Sequence, residues 1–371
     1  MSGKKIRVGV IFGGKSGEHE VSLTSAKNVI AAMDKEKYEV VPVGITKAGD
    51  WISGPEVMAQ LTATASMPPQ LAAQTAANRV SFSGDSLAPQ GAGVGQLDVI
   101  FPVLHGPLGE DGTIQGLLEL ANLPYVGCGV TGSATAMDKA IAKDLFRANG
   151  LPIVPHQVVL RRAWQANRAQ VIARLEAELS YPMFAKPANL GSSVGISKAD
   201  HAAELQAGLD EAARFDRKLI VEAGIEAREI EVSVLGNDDP EASVPGEVIP
   251  SREFYSYAAK YIDDDSRLLI PAPLTTAQME QIQEMAIAAF KSLDCAGLAR
   301  VDFLMDKQTE AIYLNEVNTM PGFTAISMYP KLWTASGLPY PKLIDRLIEL
   351  ALERFEDKQQ SDTSFEISAA E

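Results

Sequence analysis

The chain has 371 residues, 46% hydrophobic and 22% charged, a composition that suits two or three globular domains with a sizeable core and excludes a fibre. Its 33 Lys and Arg against 48 Asp and Glu give a net charge of -15, which disfavours a nucleic-acid partner, because binding a phosphate backbone needs clustered positive charge. Cys128 and Cys295 lie far apart with no CxxC spacing and read as buried free thiols. The first apolar run, Val8 to Phe12, is too short for a signal peptide or a membrane span, so a cytoplasmic protein is expected.

Ile6 to Phe12 reads as a strand bounded by Gly13-Gly14, and Ser22 to Met33 as a helix with its apolar stripe at Leu23, Ala26, Val29 and Ile30. Tyr38 to Ile45, Val99 to Leu104 and Pro124 to Val126 read as further strands, with a helix over Thr113 to Ala121. This alternation predicts a parallel α/β sheet. Residues 54–96, rich in Ala, Gln, Ser, Gly and Pro, read as an insertion or long loop.

A new domain is expected from Met137, with a helix over 138–149, a strand at Ile153 to Val159 and a helix over Asn167 to Leu179. Strands at Met183 to Lys186 and Gly195 to Lys198 flank a small-residue loop, and further strands are expected at Lys218 to Val221, Glu229 to Leu235, Val244 to Ile249 and Leu268 to Ile270. Met279, Ile282, Ala286, Ala289, Phe290 and Leu293 form one helical stripe of core type. A last amphipathic helix carries Leu343, Ile344, Leu347, Ile348, Ala351 and Phe355, and a polar tail follows from Glu356.

The most informative chemistry sits late in the chain, where Arg300-Val301-Asp302 is followed by Glu316-Val317-Asn318. Residues i and i+2 of a strand share a face, and a hairpin turning at Asp306 to Glu310 sets Asp302 across from Glu316. Two carboxylates about 4 Å apart repel by roughly 4 kcal/mol at an effective dielectric of 20, so a cation is expected between them. Carboxylate and Asn oxygens suit magnesium, which takes its other ligands from water and phosphates. The competing reading is the polar face of a surface hairpin.

Gly9 with Gly14-Lys15-Ser16 satisfies the P-loop pattern GxxxxGK[ST], yet Val10 to Phe12 fall inside the strand, so Gly9 cannot belong to a loop around a phosphate. The glycine turn can still receive a ligand at the carboxyl end of the sheet. Glu18 at its edge can pair with a substrate ammonium, or serve only the dipole of the next helix. His105-Gly106 opens at the same sheet edge. None of the four histidines has zinc-ligand spacing, and no Ser/His/Asp signature is visible. Gly191 to Gly195 offers amides and the hydroxyls of Ser192 and Ser193 to phosphate oxygens, with Lys186 on the strand before it. Met320-Pro321-Gly322-Phe323-Thr324 places an unobstructed Gly amide beside the presumed metal, as an oxyanion donor requires.

Together these segments closely resemble the D-alanyl-D-alanine ligase family of ATP-grasp enzymes. The resemblance runs through Gly13 to Ser22, His105 to Gly112, Met137-Asp138-Lys139, Lys186 to Gly195, Arg300-Val301-Asp302, Asn315 to Thr324 and Ser327, and so spans most of the chain. It implies an α/β fold, in which an N-terminal Rossmann-like parallel-sheet domain (1–137) precedes a two-domain ATP-grasp fold (138–227 and 228–371), with a flexible tail from about 356. It also implies that Asp302, Glu316 and Asn318 carry Mg2+ or Mn2+, two ions in all, while Lys139, Lys186, Lys260 and Ser193 engage ATP and Glu222 and Glu229 face adenine and ribose. Glu18 would anchor the first D-alanine ammonium with His105 near it, and Ser327 would receive the second carboxylate. Arg300 and the Gly322 amide would hold the oxyanion, while Ser192 and Tyr261, linked toward Glu18, would complete the site.

By the same resemblance, ATP phosphorylates the carboxylate of one D-alanine and the amine of a second attacks the acylphosphate, supplying peptidoglycan synthesis. Tyr255 to Tyr261 resembles the family's lid, its Lys-Tyr ending the pattern associated with D-alanine over D-lactate as acceptor. A homodimer with no membrane or nucleic-acid partner is implied. Gly17 stands where many relatives have Ala, and Pro107 falls in a variable loop; neither departure removes a functional group. The alternatives are another carboxylate-amine ligase, of the D-alanine-D-lactate or biotin-carboxylase-like type, and a noncatalytic nucleotide-binding regulator, against which the intact Arg300, Asp302, Glu316 and Asn318 speak.

Overall fold

Three sheets organise the computed structural model, which describes residues 4–54, 56–62, 81–82, 89–90, 94–249, 267–324 and 326–362. The first contains β1 (Ile6–Gly13), β2 (Tyr38–Ile45) and β3 (Trp51–Ser53), with α1 (His19–Ala32) between β1 and β2. Within the stretch expected to be a long loop lie α2 (Val57–Thr62) and a short ladder of β4 (Ser81–Phe82) with β5 (Pro89–Gln90). β6 (Val99–Val103) and α3 (Thr113–Leu120) follow. The strand order is β3-β2-β1-β6, with β1 parallel to both β2 and β6. The strand expected at Pro124 to Val126 is reduced to one bridge, Tyr125 beside Ile100.

Strand parity explains how this sheet is covered on both sides. Val8, Val10 and Phe12 join Val99, Phe101 and Val103 on one face, against α1, while Ile11 and Ile100 face Ile114 and Leu118 on or beside α3. The glycine turn after β1 thereby opens at the carboxyl edge, as the α/β pattern requires.

Next come α4 (Val130–Met137) and α5 (Lys139–Ala148), the latter capped by Asp138, which accepts from the amides of Ala140 and Ile141. The second sheet is formed by β7 (His156–Leu160), β8 (Met183–Pro187), β9 (Ser197–Ala199) and β10 (Lys218–Ala223), and is antiparallel in the order β7-β10-β8-β9. β7 starts later than Ile153 because Pro155 has no amide to contribute to a ladder; Ile153 instead bridges to Leu314. α6 (Arg161–Ala166), α7 (Arg168–Glu178) and α8 (Ala202–Phe215) cover one face of this sheet through Trp164, Leu175, Leu205 and Leu209. The short α6 and the Ala-rich α8 escape an apolar-periodicity reading because few large side chains mark their inner stripes.

The third sheet holds β11 (Ala227–Gly236), β12 (Glu241–Ala242), β13 (Gly246–Ile249), β14 (Arg267–Leu269), β15 (Gly297–Asp306) and β16 (Ile312–Asn318). Its order is β14-β13-β11-β15-β16, with β12 beside β11. One face, including Val232, Val301 and Phe303, packs against α9 (Thr276–Ser292) and against Phe146 of α5. The opposite face carries the polar alternates. α10 (Met328–Ala335) follows, and α11 (Tyr340–Lys358) runs past the expected start of the tail at Glu356. α11 returns to the first sheet: Leu343, Ile344, Leu347 and Ile348 share a core with Val10 and Phe101. Among the described residues no helix is long and apolar enough to cross a membrane.

Because α11 belongs to the core of β1 and β6, Leu347→Ala is expected to cost about 2–5 kcal/mol, as fully buried leucines do. It should also speed amide hydrogen exchange in β1 and β6; faster exchange confined to α11 would contradict the shared core.

Candidate active site

The polar face of the third sheet is built by register. Ser233, Arg300 and Asn318 stand in one row across β11, β15 and β16, and Glu231, Asp302 and Glu316 in the next. The turn that joins β15 to β16 is closed by Asp306, which accepts from the amides of Gln308 and Thr309, and by Glu310 at φ 58°. From that turn the pairing runs Met305 with Ile312 and Leu304 with Tyr313, which would bring Asn315 opposite Asp302; a bulge after Asp302 delivers Glu316 there instead. One inserted residue thus keeps Glu316 on the face of Asp302.

Cations brought to this row neutralise it. Arg300 forks onto Asp302, Nε to Oδ1 at 2.7 Å and an Nη to Oδ2 at 2.8 Å, and its Nε lies 3.1 Å from Glu231 Oε2. Asn318 donates to Asp302 Oδ2 at 2.9 Å. From α5, Lys139 Nζ comes 3.1 Å from Glu316 Oε2 and donates to the Leu190 carbonyl at 3.0 Å. Burial alone would lower the pKa of Lys139, but Glu316 more than offsets this and leaves it raised.

Facing this row is a cavity of about 140 Å³, lined by Glu18, His105, Ser192, Arg300, Glu316, Asn318, Gly322 and Ser327 among others. Eight of the residues expected from the sequence are therefore gathered around one space. Ser192 donates to Glu18 Oε1, joining the Gly191 to Gly195 loop to the turn after β1. Ser192 and Ser193 both adopt left-handed backbone, φ 53° and 57°, which costs a non-glycine residue roughly 1–2 kcal/mol and is tolerated where geometry matters. Gly106 (φ 75°) admits Glu18: a Cβ there would fall 2.6 Å from Glu18 Oε2.

His105 has both ring nitrogens engaged within the protein, Nδ1 with the Met320 carbonyl at 3.0 Å and Nε2 with Ser25 Oγ at 3.2 Å. It fastens the end of β6 to the Met320 to Thr324 loop, and burial lowers its pKa, favouring the neutral ring. In that loop, Ser327 Oγ accepts from the Thr324 amide at 3.0 Å, and a Cβ on Gly322 would sit 2.9 Å from it. Ser327 also precedes the first turn of α10, whose free amides favour an anion.

A second polar cluster lies on the open face of the second sheet. Lys186 Nζ approaches Glu222 Oε2 at 2.6 Å, and Lys143 of α5 approaches Glu222 Oε1 at 3.3 Å. Burial pushes the Glu222 carboxyl up, but the two lysines outweigh it and hold the pKa down at about 2. Lys143 also donates to the carbonyl of Asn315, the bulge residue, at 3.2 Å. One lysine therefore ties the second sheet to the third. Glu229 shares the face of Glu231, one row further from Arg300 and opposite Leu304. Lys260 and Tyr261, with the expected lid, lie outside the described residues.

Three residues with a place here were missed by the sequence reading: Lys143, Glu231 and Glu110. Lys143 follows Lys139 by one helical turn and Glu231 follows Glu229 by one strand repeat, so period alone could have found them. Glu110 accepts from the Gly106 amide at 2.7 Å and lines the cavity.

Glu18 and Glu110 line the cavity together with Glu231, Glu316 and Arg300 of the third sheet, an acidic lining that suits an ammonium group or a divalent cation. The oxygen donors of Asp302, Glu316 and Asn318, on one face and already sharing their charge with Arg300 and Lys139, fit magnesium, a hard cation that needs only one or two carboxylates.

Burial first, and then the nearby Glu18, raise the Glu110 pKa to about 8 against the Gly106 amide and Lys139. A folded pKa above the unfolded value near 4.3 contributes stability fully below that value and loses it as pH rises through about 8. In the ligand-free protein, Glu110→Gln should therefore melt progressively higher than the unaltered chain as pH rises from 5 to 9; a Tm difference independent of pH would remove the argument.

Comparison with known proteins is consistent across sequence and structure. Residues 7–128 match the sequence model of the D-ala D-ala ligase N-terminus, and residues 145–349 that of the D-ala D-ala ligase C-terminus. The D-alanine–D-alanine ligase of Heliobacterium modesticaldum is 54% identical over 369 residues, covering 97% of this chain and 98% of its own. That of Natranaerobius thermophilus is 49% identical, with coverage of 98% and 99%. The solved D-alanine-D-alanine ligase of Coxiella burnetii superposes with a TM-score of 0.83 at 39% identity, covering 96% of this chain and 97% of that one. The VanG D-Ala:D-Ser ligase of Enterococcus faecalis superposes with a TM-score of 0.82 at 34% identity, covering 94% and 100%. With both halves matched in sequence and nearly the whole chain matched in structure, this chain belongs to the D-alanine–D-alanine ligase family.

Proposed function

We propose that the chain joins two D-alanines into D-alanyl-D-alanine at the expense of ATP, releasing ADP and phosphate and supplying cell-wall peptidoglycan. The observation that carries this reading is the single cavity in which Glu18, Arg300, Glu316, Asn318, Gly322 and Ser327 converge. Magnesium held by Asp302, Glu316 and Asn318 would supply Lewis-acid neutralisation of phosphate charge. The three units begin near residues 1, 138 and 228; the protein works in the cytoplasm and as a homodimer, as family membership favours.

The residues divide the labour by chemistry. A carboxylate is a poor electrophile, so one D-alanine is first activated: its oxygen bonds to the terminal phosphorus of ATP as the bridge to ADP breaks. Lys139 and Lys186, with Lys260 and the Ser193 hydroxyl, neutralise and orient the phosphates, while Glu222 and Glu229 face adenine and ribose. Glu18, joined to Ser192, holds the first ammonium, with Tyr261 completing that chain and His105 bracing the loop beside it. Ser327 receives the second carboxylate at the start of α10. The second amine, once deprotonated, forms a bond to the acyl carbon; Arg300 and the Gly322 amide receive the oxyanion, and phosphate departs as the carbonyl reforms.

An assay of phosphate release decides between this ligase and its alternatives. Turnover is expected with magnesium, ATP and D-alanine together; turnover only with L-alanine or D-lactate as acceptor, or none at all, would sink the reading. Glu316→Gln is expected to lower kcat by orders of magnitude while the fold survives, and near-normal activity would refute the metal role of the hairpin. Lys15 packs against Gly49, where a Cβ would fall 2.1 Å from its Cε, and it does not line the cavity. Lys15→Ala should therefore leave the KM for ATP within about a factor of two, whereas loss of ATP binding would restore the P-loop reading.

A further inference from the structure

Among the described residues Arg300 lies against the carboxylates of Asp302 and Glu231, and they face different demands. Asp302 takes the guanidinium fork at 2.7 and 2.8 Å and the Asn318 amide at 2.9 Å, yet in the ligase reading it must also give oxygen to a divalent cation. Glu231, directly across the ladder on β11, brings Oε2 to 3.1 Å from Arg300 Nε as an ion pair rather than a hydrogen bond; the one Nε hydrogen goes to Asp302 Oδ1, and Glu231 Oε2 stands ready to accept it when Asp302 lets go. It lines the same cavity and is 8% exposed. Among the described residues no group of three or more Asp, Glu, His or Cys is placed to hold a metal, so Glu231 stands beside the proposed metal set without completing one.

We propose that Glu231 is the positioning residue for Arg300: it keeps the guanidinium aimed into the cavity when Asp302 turns its charge to the cation. The physical logic follows from competition for one carboxylate. A divalent cation withdraws electron density from Asp302 and weakens its hydrogen bonds to Arg300, and a guanidinium with no second anchor would then swing on its flexible stem. Glu231 sits on a central strand with β13 on one side and β15 on the other, so its backbone cannot drift and the anchor stays fixed. Its neighbour Glu229, two residues along the same face, lies opposite Leu304 and beyond this row. This assignment rests on the ligase reading for the use made of Arg300, and on geometry alone for the contact.

The test combines a readout free of activity with a mutant cycle. In the 15Nε NMR spectrum, with the Arg300 signal assigned by its loss in Arg300→Lys, the Nε proton should exchange with water at similar rates in Glu231→Gln and the unaltered chain without magnesium, and at least about tenfold faster in Glu231→Gln once magnesium is added. In D-alanine-dependent phosphate release, Glu231→Gln should lower kcat roughly 10- to 100-fold with little change in the KM for ATP or in the magnesium midpoint. The same substitution in an Arg300→Ala background should change the residual rate by no more than about a factor of two, because the two residues act as one unit.

Unchanged Nε exchange in the presence of magnesium, additive losses, or a Glu231→Gln chain that melts lower with no kinetic coupling to Arg300 would overturn the proposal. A shift of the magnesium midpoint by more than about tenfold would also overturn it, making Glu231 a metal ligand. If the unaltered chain shows no D-alanine-dependent turnover while the Nε result holds, the ligase reading fails and the contact between Glu231 and Arg300 stands.

Discussion

Like charges set side by side on one sheet face must be neutralised from outside that row, and this constraint organises the whole site. Glu231, Asp302 and Glu316 occupy neighbouring strands in one lateral line. At the roughly 5 Å spacing of directly paired residues, each adjacent pair would repel by about 3 kcal/mol at an effective dielectric of 20. Arg300 answers from the next row of the same sheet, and Lys139 from the start of α5. The Lys143 side chain, buried between Glu222 and the Asn315 carbonyl, braces the same helix one turn later. Helix α5 is thereby held to two sheets by ammonium groups as well as by Phe146 in the core.

The opposite wall depends on backbone freedom. Glu18 reaches the cavity because Gly106 leaves room for it, and it meets Ser192 because two consecutive serines accept left-handed backbone. His105, with both ring nitrogens engaged, locks the end of β6 to the loop carrying Gly322. An active site assembled from the turn after β1, the loop after β6, the loop after β8 and the third sheet can hold its geometry only if such cross-links fix the loops to one another. Each joins residues 80 or more apart in sequence: Ser192 to Glu18, His105 to Met320 and His105 to Ser25.

The carboxylate hairpin was legible because its signals are local. Alternation of Arg300, Asp302, Glu316 and Asn318 gives the face, and Asp306 to Glu310 gives the turn, so the pairing of Asp302 with Glu316 could be expected before any coordinates. Likewise, the P-loop pattern could be dismissed because Gly9 lies inside β1, as the structure shows. Pro124 to Val126 looked like a strand on composition but forms one bridge. Helices α4, α6, α8 and α10 lacked a stripe of large apolar residues strong enough to mark them. Glu110 was passed over because its importance lies in burial and in the Gly106 amide that it accepts from, neither of which has a sequence signature.

The sequence alone determined the family, the α/β alternation of the first sheet and the polar face of the hairpin, because periodicity and short motifs are properties of neighbouring residues. Tertiary structure decided the rest. The bulge at Asn315 is the device that realises the pairing of Asp302 with Glu316, the return of α11 completes the core of the first sheet, and Arg300 is shared between Asp302 and Glu231. Such features arise from register and from charges meeting across long sequence separations. No local pattern of residues carries the distance between them.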